Sequence, residues 1–479
     1  MTWEHFSLIA PELILTVAAC AVLLLDAWET GPSLDVGGRP SSAAWVSLAA
    51  VVLSAAAAMH PARSPEVAFA GMYVRDQITQ IIDLSAAAAA GCGVLLSPGY
   101  LERFRLPAGE YYALLLLSAV GAMLMGASRD LITLFVGLEI LSFPLYLLAA
   151  LARRSVRSQE AGLKYLLLGA FATAFFIYGV ALVYGAAGTT DLARIGQTAA
   201  SPLLNIGVGL VTIGLAFEAA LVPFHAWAPD VYEGAPLPAA AFMSVIAKAG
   251  AFAGLVRVFP QALPHLAPAW GQMLSVMAVI TMVTGNLAAL SQSNVKRLLA
   301  YSSVAHAGYL LIGVASGGEA GTWAVFYYLA VYTAMNLGAF GVLILLERRG
   351  EEADRIEDLA GLVQRAPWAA AALVVCLVSL AGLPPTGGFI GKLYLFQAAL
   401  LAHRTALALV AVLTSVISIY YYLRVASVVL GPVGTTAVAV RRNVPAGIAL
   451  AVLAAGVLWL GVLPSAPTSF IQQGVHVLK

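Results

Sequence analysis

Charge is what this sequence has least of. Asp, Glu, Lys and Arg make up 10% of its 479 residues, against 61% hydrophobic ones. A mean hydropathy of +0.90 is far above what a soluble domain needs to build one core. The 25 Lys and Arg balance 24 Asp and Glu, so nothing points to a nucleic-acid partner or an acidic substrate. Cysteine is scarce too. Cys20, Cys92 and Cys376 lie singly in apolar runs, without the CxxC or Cys/His spacing that iron–sulfur clusters or zinc require, and they read as small packing residues. A dinucleotide fingerprint is missing, because "GVGLVTIG" (207–214) lacks GxGxxG spacing and sits in an apolar run. No cofactor or metal is therefore expected in this chain. The opening "MTWEHFSLIAPELIL" has no basic segment and no small-residue cleavage site, so the first apolar run should stay as a span.

What is abundant is apolar length. At about 20 residues per crossing, about fourteen segments emerge, at 6–27, 43–59, 74–96, 110–126, 130–151, 162–186, 203–223, 237–259, 269–290, 301–316, 322–346, 368–400, 405–430 and 444–464. The fold class is an all-α polytopic membrane protein, with linkers too short for a soluble domain. The longest polar linker, 347–367, mixes both charge signs and suggests a solvated loop or short surface helix. With the N-terminus outside, the inner loops hold Arg39, Arg103, Arg105, Arg153, Arg154, Arg157, Lys296, Arg297, Arg348, Arg349, Arg355, Arg365, Arg441 and Arg442. The outer ones hold Arg63, Arg129, Arg194, Arg404 and Lys479. The positive-inside rule selects this topology, with both termini outside, in the periplasm of a bacterial host.

Two segments are interrupted alike: "FEAALVPFHAWAPD" (217–230) at Pro223, and "SLAGLPPTGGFIGKLYLF" (379–396) at Pro384 and Pro385. They lie 384 − 223 = 161 residues apart. Interrupted segments at matching places in two halves point to inverted repeats with a site near the midplane. Five spans per repeat, roughly 110–259 and 269–430, invert the second copy. The expected units are thus 1–105 (three helices), 106–262 (first repeat), 263–432 (second repeat) and 433–479 (C-terminal helix). The run around Pro384 would also be about 50 Å long as one straight helix, against an apolar core of about 30 Å. It must break or tilt, and the carbonyls freed by the prolines are tolerable only against protein or water.

Within the predicted spans the candidates for chemistry are six: Glu139, Lys164, Glu218, Lys248, His306 and Lys392. Each charge at a helix centre costs roughly 2.5–3.5 kcal/mol on insertion scales, so together they mark a polar interior path. Each also has a plainer reading. Lys164 can snorkel to the interface with Glu160 one turn before it. Glu139, Glu218, Lys248 and Lys392 can form ion pairs that only lock helices together. His306 can be a hydrogen-bonded packing residue, and His225 can cap the broken helix beside Pro223. Lys, Glu and His can each bind and release a proton near working pH once buried. Sodium would instead call for a cage of oxygens, and an organic substrate for a roomier cavity.

At these residues the chain resembles a known family, the antiporter-like membrane subunits of proton-pumping NADH:quinone oxidoreductase, respiratory complex I, and within it the N (ND-two-like) type. The likeness rests on "EYYALLLLSAVGAMLM", "LEILSFPLYLLAA", "EAGLKYLLLGAF", "VPFHAWAPDVYEGAPLP", "QSNVKRLLAYSSVAHAGY" and "SLAGLPPTGGFIGK". It implies fourteen helices, two inverted five-helix repeats, broken helices seven and twelve, and a polar axis at mid-membrane. Glu139 matches the family's glutamate of the fifth helix, Lys248 its lysine of the eighth, and Lys392 its lysine of the twelfth. Where the family usually has a lysine in the seventh helix, this chain has Glu218, so Glu139 and Glu218 become two acids able to share one proton. The sequence runs about fifteen residues past its last expected span, too few for the long lateral helix that the L type would imply, so the N type is the expectation.

The resemblance further implies a place in the cell inner membrane among other membrane-arm subunits. NADH, FMN, iron–sulfur clusters and quinone would be held by partner subunits. On this reading Lys392 exchanges protons toward the outer side, Lys248 relays at the centre, and Glu139 with Glu218 modulates or supplies the inner half-path. The chain would be an enzyme only as a subunit of a translocase. Two alternatives stand beside it: a subunit of a multisubunit monovalent cation/proton antiporter, and a structural spacer that does not pump.

Overall fold

The computed structural model describes residues 3–30, 42–59, 65–348, 350–434 and 438–465. Arg39, Arg63, Arg349 and Lys479, used above for orientation, lie outside these described residues. Among the described residues eleven helices are long and apolar enough to cross a membrane, and four shorter apolar helices and the eight-residue helix Trp227–Gly234 accompany them. In chain order the helices are α1 (Ala10–Thr30), α2 (Ser42–Ala58), α3 (Gln77–Leu96), α4 (Ala108–Ala127), α5 (Leu131–Ala149), α6 (Val156–Ala187), α7 (Pro202–Glu218) and α8 (Trp227–Gly234). There follow α9 (Leu237–Val256), α10 (Ala267–Leu290), α11 (Val295–Ser316), α12 (Gly318–Ile344), α13 (Pro367–Ala381), α14 (Gly387–Leu401), α15 (Thr405–Leu430) and α16 (Val444–Val462).

The helix starts follow ordinary capping chemistry, in which a short polar side chain takes up a backbone N–H that the first turn leaves free. Asp76, Asp130, Ser155, Ser201, Asn294 and Asn443 each accept such a bond ahead of α3, α5, α6, α7, α11 and α16. Burial is graded across the bundle. The helix α9 is buried along its whole length, and α11 and α12 nearly so, whereas α1, α6 and α15 turn Leu24, Phe171 and Leu409 outward. A side chain on α9 or α11 is therefore enclosed by protein, whereas α6 buries one face, with Tyr165 and Phe176, and turns the other to what surrounds the bundle.

The polar linker after α12 is more ordered than a solvated loop. Strands β3 (Leu346–Arg348) and β4 (Glu351–Glu352) form an antiparallel sheet with β5 (Val438–Val440), in the order β4-β3-β5. Two strands earlier in the chain, β1 (Glu66–Ala68) and β2 (Tyr73–Arg75), pair at the start of α3. The larger sheet forms because β5, 90 residues downstream of β3 by 438 − 348 = 90, supplies backbone partners that the local sequence does not reveal. Lys296 and Arg297, expected in a loop, instead open α11, and Lys296 is buried.

Two backbone arrangements recur along the chain. Leu131 N donates to Thr190 O and Leu192 N to Arg129 O around an Asp130/Asp191 bridge. Val295 N donates to Asp354 O and Ile356 N to Ser293 O around an Asn294/Arg355 bridge. The shift is constant, 294 − 130 = 355 − 191 = 164 residues. The ends of α7 and α13 also match. Ala220 N bonds Phe217 O and Leu221 N bonds Ala216 O; Gly382 N bonds Ser379 O and Leu383 N bonds Val378 O. Both are Schellman closures, with Ala220 (φ 56°) and Gly382 (φ 80°) in the left-handed region. Asp76, at the start of α3, and Arg257, just past the end of α9, form a buried two-pronged ion pair of 2.5 and 2.7 Å. It fixes the central helix against the N-terminal three.

Candidate functional site

The two interruptions put the ends of half-helices inside the bundle. Pro223 lies between α7 and α8, and Pro384 and Pro385 lie between α13 and α14. The end of a helix leaves carbonyls unpaired and carries partial negative charge. At the second break an ammonium meets them. Lys392 Nζ donates to Leu380 O and Ala381 O, both at 3.1 Å, and to Ser415 Oγ at 2.9 Å. It also lies 4.9 Å over the Tyr309 ring, a favourable cation–π placement. Gly382 suits this place on two counts: its φ of 80° is free of the strain that Ala220 carries at the matching position, and a Cβ would stand 2.8 Å from Lys392 Cδ and 3.0 Å from its Nζ.

The middle of the bundle is built from α9, α11 and α12. Lys248 Nζ donates to Ser303 Oγ at 2.6 Å, and the Tyr332 hydroxyl donates to the same oxygen at 2.9 Å. One turn along α11 stands His306. Its Nδ1 is 2.7 Å from the Tyr328 hydroxyl and its Nε2 is 3.0 Å from that of Tyr422. A neutral imidazole donates from one nitrogen and accepts at the other, so His306 joins two tyrosines in a directed chain. Tyr422 in turn bonds Ser302, the neighbour of Ser303. Two short hydrogen-bonded groups, Lys248–Ser303–Tyr332 and Tyr328–His306–Tyr422–Ser302, thus meet on adjacent turns of α11 through the neighbouring Ser302 and Ser303, and the His306 and Tyr332 rings lie 5.3 Å apart.

On the other side, Glu218 is the last residue of α7. Its carboxylate accepts from Ser142 Oγ at 2.9 Å and from the Tyr165 hydroxyl at 3.4 Å. Tyr165 stacks on Trp227 with centroids 4.1 Å apart, which closes an aromatic wall around the acid. Glu139 lies one turn before Ser142 on α5, is partly exposed, and accepts from Thr173 Oγ1 at 2.7 Å. The two acids have separate partners and are linked through a single turn of α5.

Glu218, Lys248, His306 and Lys392 are 2%, 1%, 1% and 3% exposed, so the structure brings four of the six sequence candidates into the interior. Lys164 is set apart. It bonds Glu160 and Asp230, each at 2.8 Å, with 42% of its side chain exposed. Asp230 also meets Arg297, which holds Glu233. That group is a network at one end of the bundle. His225 lies in the first break, half-buried.

What sequence reasoning passed over are the hydroxyls: Ser142, Thr173, Ser302, Ser303, Tyr328, Tyr332 and Tyr422. Their spacing gives one clue in retrospect, since Tyr328 and Tyr332 are one turn apart, as are Ser302 and His306. Among the described residues no cluster of three or more His, Cys, Asp or Glu is arranged to hold a metal ion.

A helical bundle with two interrupted helices and buried titratable side chains strung together by hydroxyls defines an antiporter-like membrane protein. The family described as "NADH:quinone oxidoreductase/Mrp antiporter, TM" matches residues 128–418. NADH-quinone oxidoreductase subunit N of Trichlorobacter lovleyi is 43% identical over 481 aligned positions, covering 99% of this chain and 98% of the relative. A chain in respiratory complex I from Thermus thermophilus is 37% identical with a TM-score of 0.82, covering 96% of this chain and 98% of that one. A chain of the Mrp complex from Dietzia sp. shares the fold, with a TM-score of 0.84 over 100% of this chain and 98% of that one, but is 22% identical. The chain belongs to the subunit N family of the NADH-quinone oxidoreductases.

Proposed function

We propose that this chain is a proton-translocating subunit of the membrane arm of an NADH:quinone oxidoreductase, organised as two inverted five-helix repeats. It moves protons while quinone is reduced in partner subunits that hold the NADH, flavin and iron–sulfur chemistry. The observation that carries this reading is the buried succession Lys248–Ser303–Tyr332 and His306–Tyr422–Ser302, with Lys392 beyond it. Every member can pass a proton, and several buried cations among hydroxyls and carbonyls make a poor cage for a metal cation. The cation/proton antiporter reading has the shared fold in its favour, and the higher identity of the subunit N relatives weighs against it.

The test is biochemical. Membranes solubilised with a tag on this chain should yield an assembly that oxidises NADH with quinone and acidifies vesicles as it does so. Recovery of an assembly with sodium/proton exchange and no NADH oxidation would give the antiporter reading instead.

The proposed orientation, inner-membrane with both termini periplasmic, has its own check. Val156, 77% exposed between Arg154 and Arg157, is replaced by cysteine in spheroplasts and in inverted vesicles. An impermeant maleimide should reach it only from the cytoplasmic side, and labelling of intact spheroplasts would reverse the topology.

A further inference from the structure

A large open vestibule of about 1630 Å³ lies at the end of the bundle that carries the Arg153–Arg157 and Glu351–Glu357 segments. By the positive-inside rule this is the cytoplasmic end. Its lining includes Tyr100, Ala235, Pro236 and Glu352, and there it meets a buried charge. Lys296 Nζ, on a residue 1% exposed, donates to Glu352 Oε2 at 2.8 Å and to Ala235 O at 2.7 Å. The other carboxylate oxygen of Glu352 accepts from the Tyr100 hydroxyl and, at 3.2 Å, from Leu237 N, the first residue of α9. Glu352 is thus the place where open water touches the start of the helix that carries Lys248.

Two rungs join α9 to its neighbours farther along. The upper one is Lys248–Ser303–Tyr332. One turn below, Asn336 Nδ2 donates to Ser244 Oγ at 2.5 Å. Ser244 and Lys248 are four residues apart on α9, and Tyr332 and Asn336 four apart on α12, so both rungs lie on facing stripes. Asn336 is fully buried, yet its Oδ1 has no hydrogen-bond partner among the described residues. Buried side-chain acceptors are rarely left so. Between Leu237 and Ser244 the helix carries Pro238, Ala239, Ala240, Ala241, Phe242 and Met243, all buried. Leu237 and Ser244 are 244 − 237 = 7 residues apart, about 10 Å along the axis at 1.5 Å per residue, a distance that three or so waters at about 2.8 Å spacing, entering beside the small alanine side chains, would span.

We propose, on the proton-translocation reading above, that protons from the cytoplasmic side enter at the Glu352–Lys296 pair and reach Lys248 along α9 through Asn336 and Ser244. The Glu139–Glu218 pair then lies beside this input path and not on it. The Glu352 carboxylate takes a proton from vestibule water and releases it to waters along α9; each water, and the Ser244 hydroxyl held by the Asn336 amide, accepts one proton and gives up another. The last proton is handed through water to the lone pair of neutral Lys248, which becomes the ammonium, and the groups between end as they began.

The experiment uses the intact complex in proteoliposomes, measuring NADH-driven proton pumping together with NADH oxidation by an artificial acceptor as the index of assembly. Asn336→Val and Asn336→Thr have nearly the same shape, so they share any packing loss, and only threonine restores a hydroxyl. Val should lower coupled turnover about tenfold, below the roughly 10²-fold or more that removing a proton donor outright costs, and Thr should recover most of it. Ser244→Ala gives the same reading with a smaller change, and Glu352→Gln should slow pumping where Glu352→Asp does not. Equal behaviour of Val and Thr, or wild-type pumping in both Ser244→Ala and Glu352→Gln, would overturn the path. Lys248→Met, run alongside, separates the two levels. If it abolishes pumping while the path variants pump normally, only the path is wrong; if it too pumps normally, translocation by this chain is wrong.

Discussion

Lys392→Met is expected to leave the complex assembled and to lower coupled quinone reduction by about 10²-fold, the range typical for loss of a proton donor or acceptor. The ammonium has two separable duties in the structure. It satisfies the Leu380 and Ala381 carbonyls at the end of α13, and it is a titratable group beside Ser415. Methionine removes both, and the two orphaned carbonyls cost about 1–3 kcal/mol each. Lys392→Arg divides them. Arginine keeps donors for the carbonyls but cannot give up its proton in a protein. If proton exchange is the role, Met and Arg both lose pumping. If capping the broken helix is the role, Met loses assembly and Arg pumps. Normal proton pumping in the arginine variant would remove Lys392 from the path.

That double duty also explains what could be read beforehand. Prolines and glycines interrupting an apolar run announce a break because of rules local to the backbone, and a lysine beside one has an energetic reason to be there. The same holds for Lys248, which with Ser244 is the only polar side chain between Leu237 and Val256. Hydroxyls give no such signal. Serine and tyrosine are cheap in apolar helices, and whether Ser303 meets Lys248 or lipid depends on how α11 is rotated against α9 and α12, which is set by packing. Lys296 misled for a related reason. A lysine at the boundary of an apolar run looks like a loop residue, and its burial depends on Glu352, which arrives 352 − 296 = 56 residues later on a strand held by β3. Lys164 was ambiguous in sequence for the opposite reason. Its stem is long enough to reach the surface from within a span, and in the structure it does so.

Glu218 sets the second large expectation, because it stands where the family resemblance implies a lysine. Its carboxyl is fully enclosed, takes hydrogen bonds from Ser142 and Tyr165, and occupies the last position of a half-helix, where the dipole is unfavourable to negative charge. Glu139 is one turn of α5 from Ser142, so a second negative charge is close by. Two such acids cannot both ionise cheaply in a weakly solvated site, and the pair is therefore suited to storing one proton next to Lys248. Glu218→Gln keeps the volume while removing the titratable group: its oxygen accepts from one hydroxyl, and its NH2 donates to the other, which turns to accept. It should lower coupled turnover by about tenfold or more if the stored proton is used, at the low end of general acid–base effects, and leave it unchanged if Glu218 only packs. Glu218→Lys tests the pairing itself. Serine and tyrosine hydroxyls can turn to accept as well as donate, so Ser142 and Tyr165 can hold an ammonium, and Glu139 would then face an opposite charge. The lysine variant should accordingly pump better than the glutamine one. A glutamine variant that pumps at the wild-type rate across the pH range would reduce Glu218 to a packing residue, and a lysine variant worse than glutamine would mean that this chain has rebuilt the site around an acid.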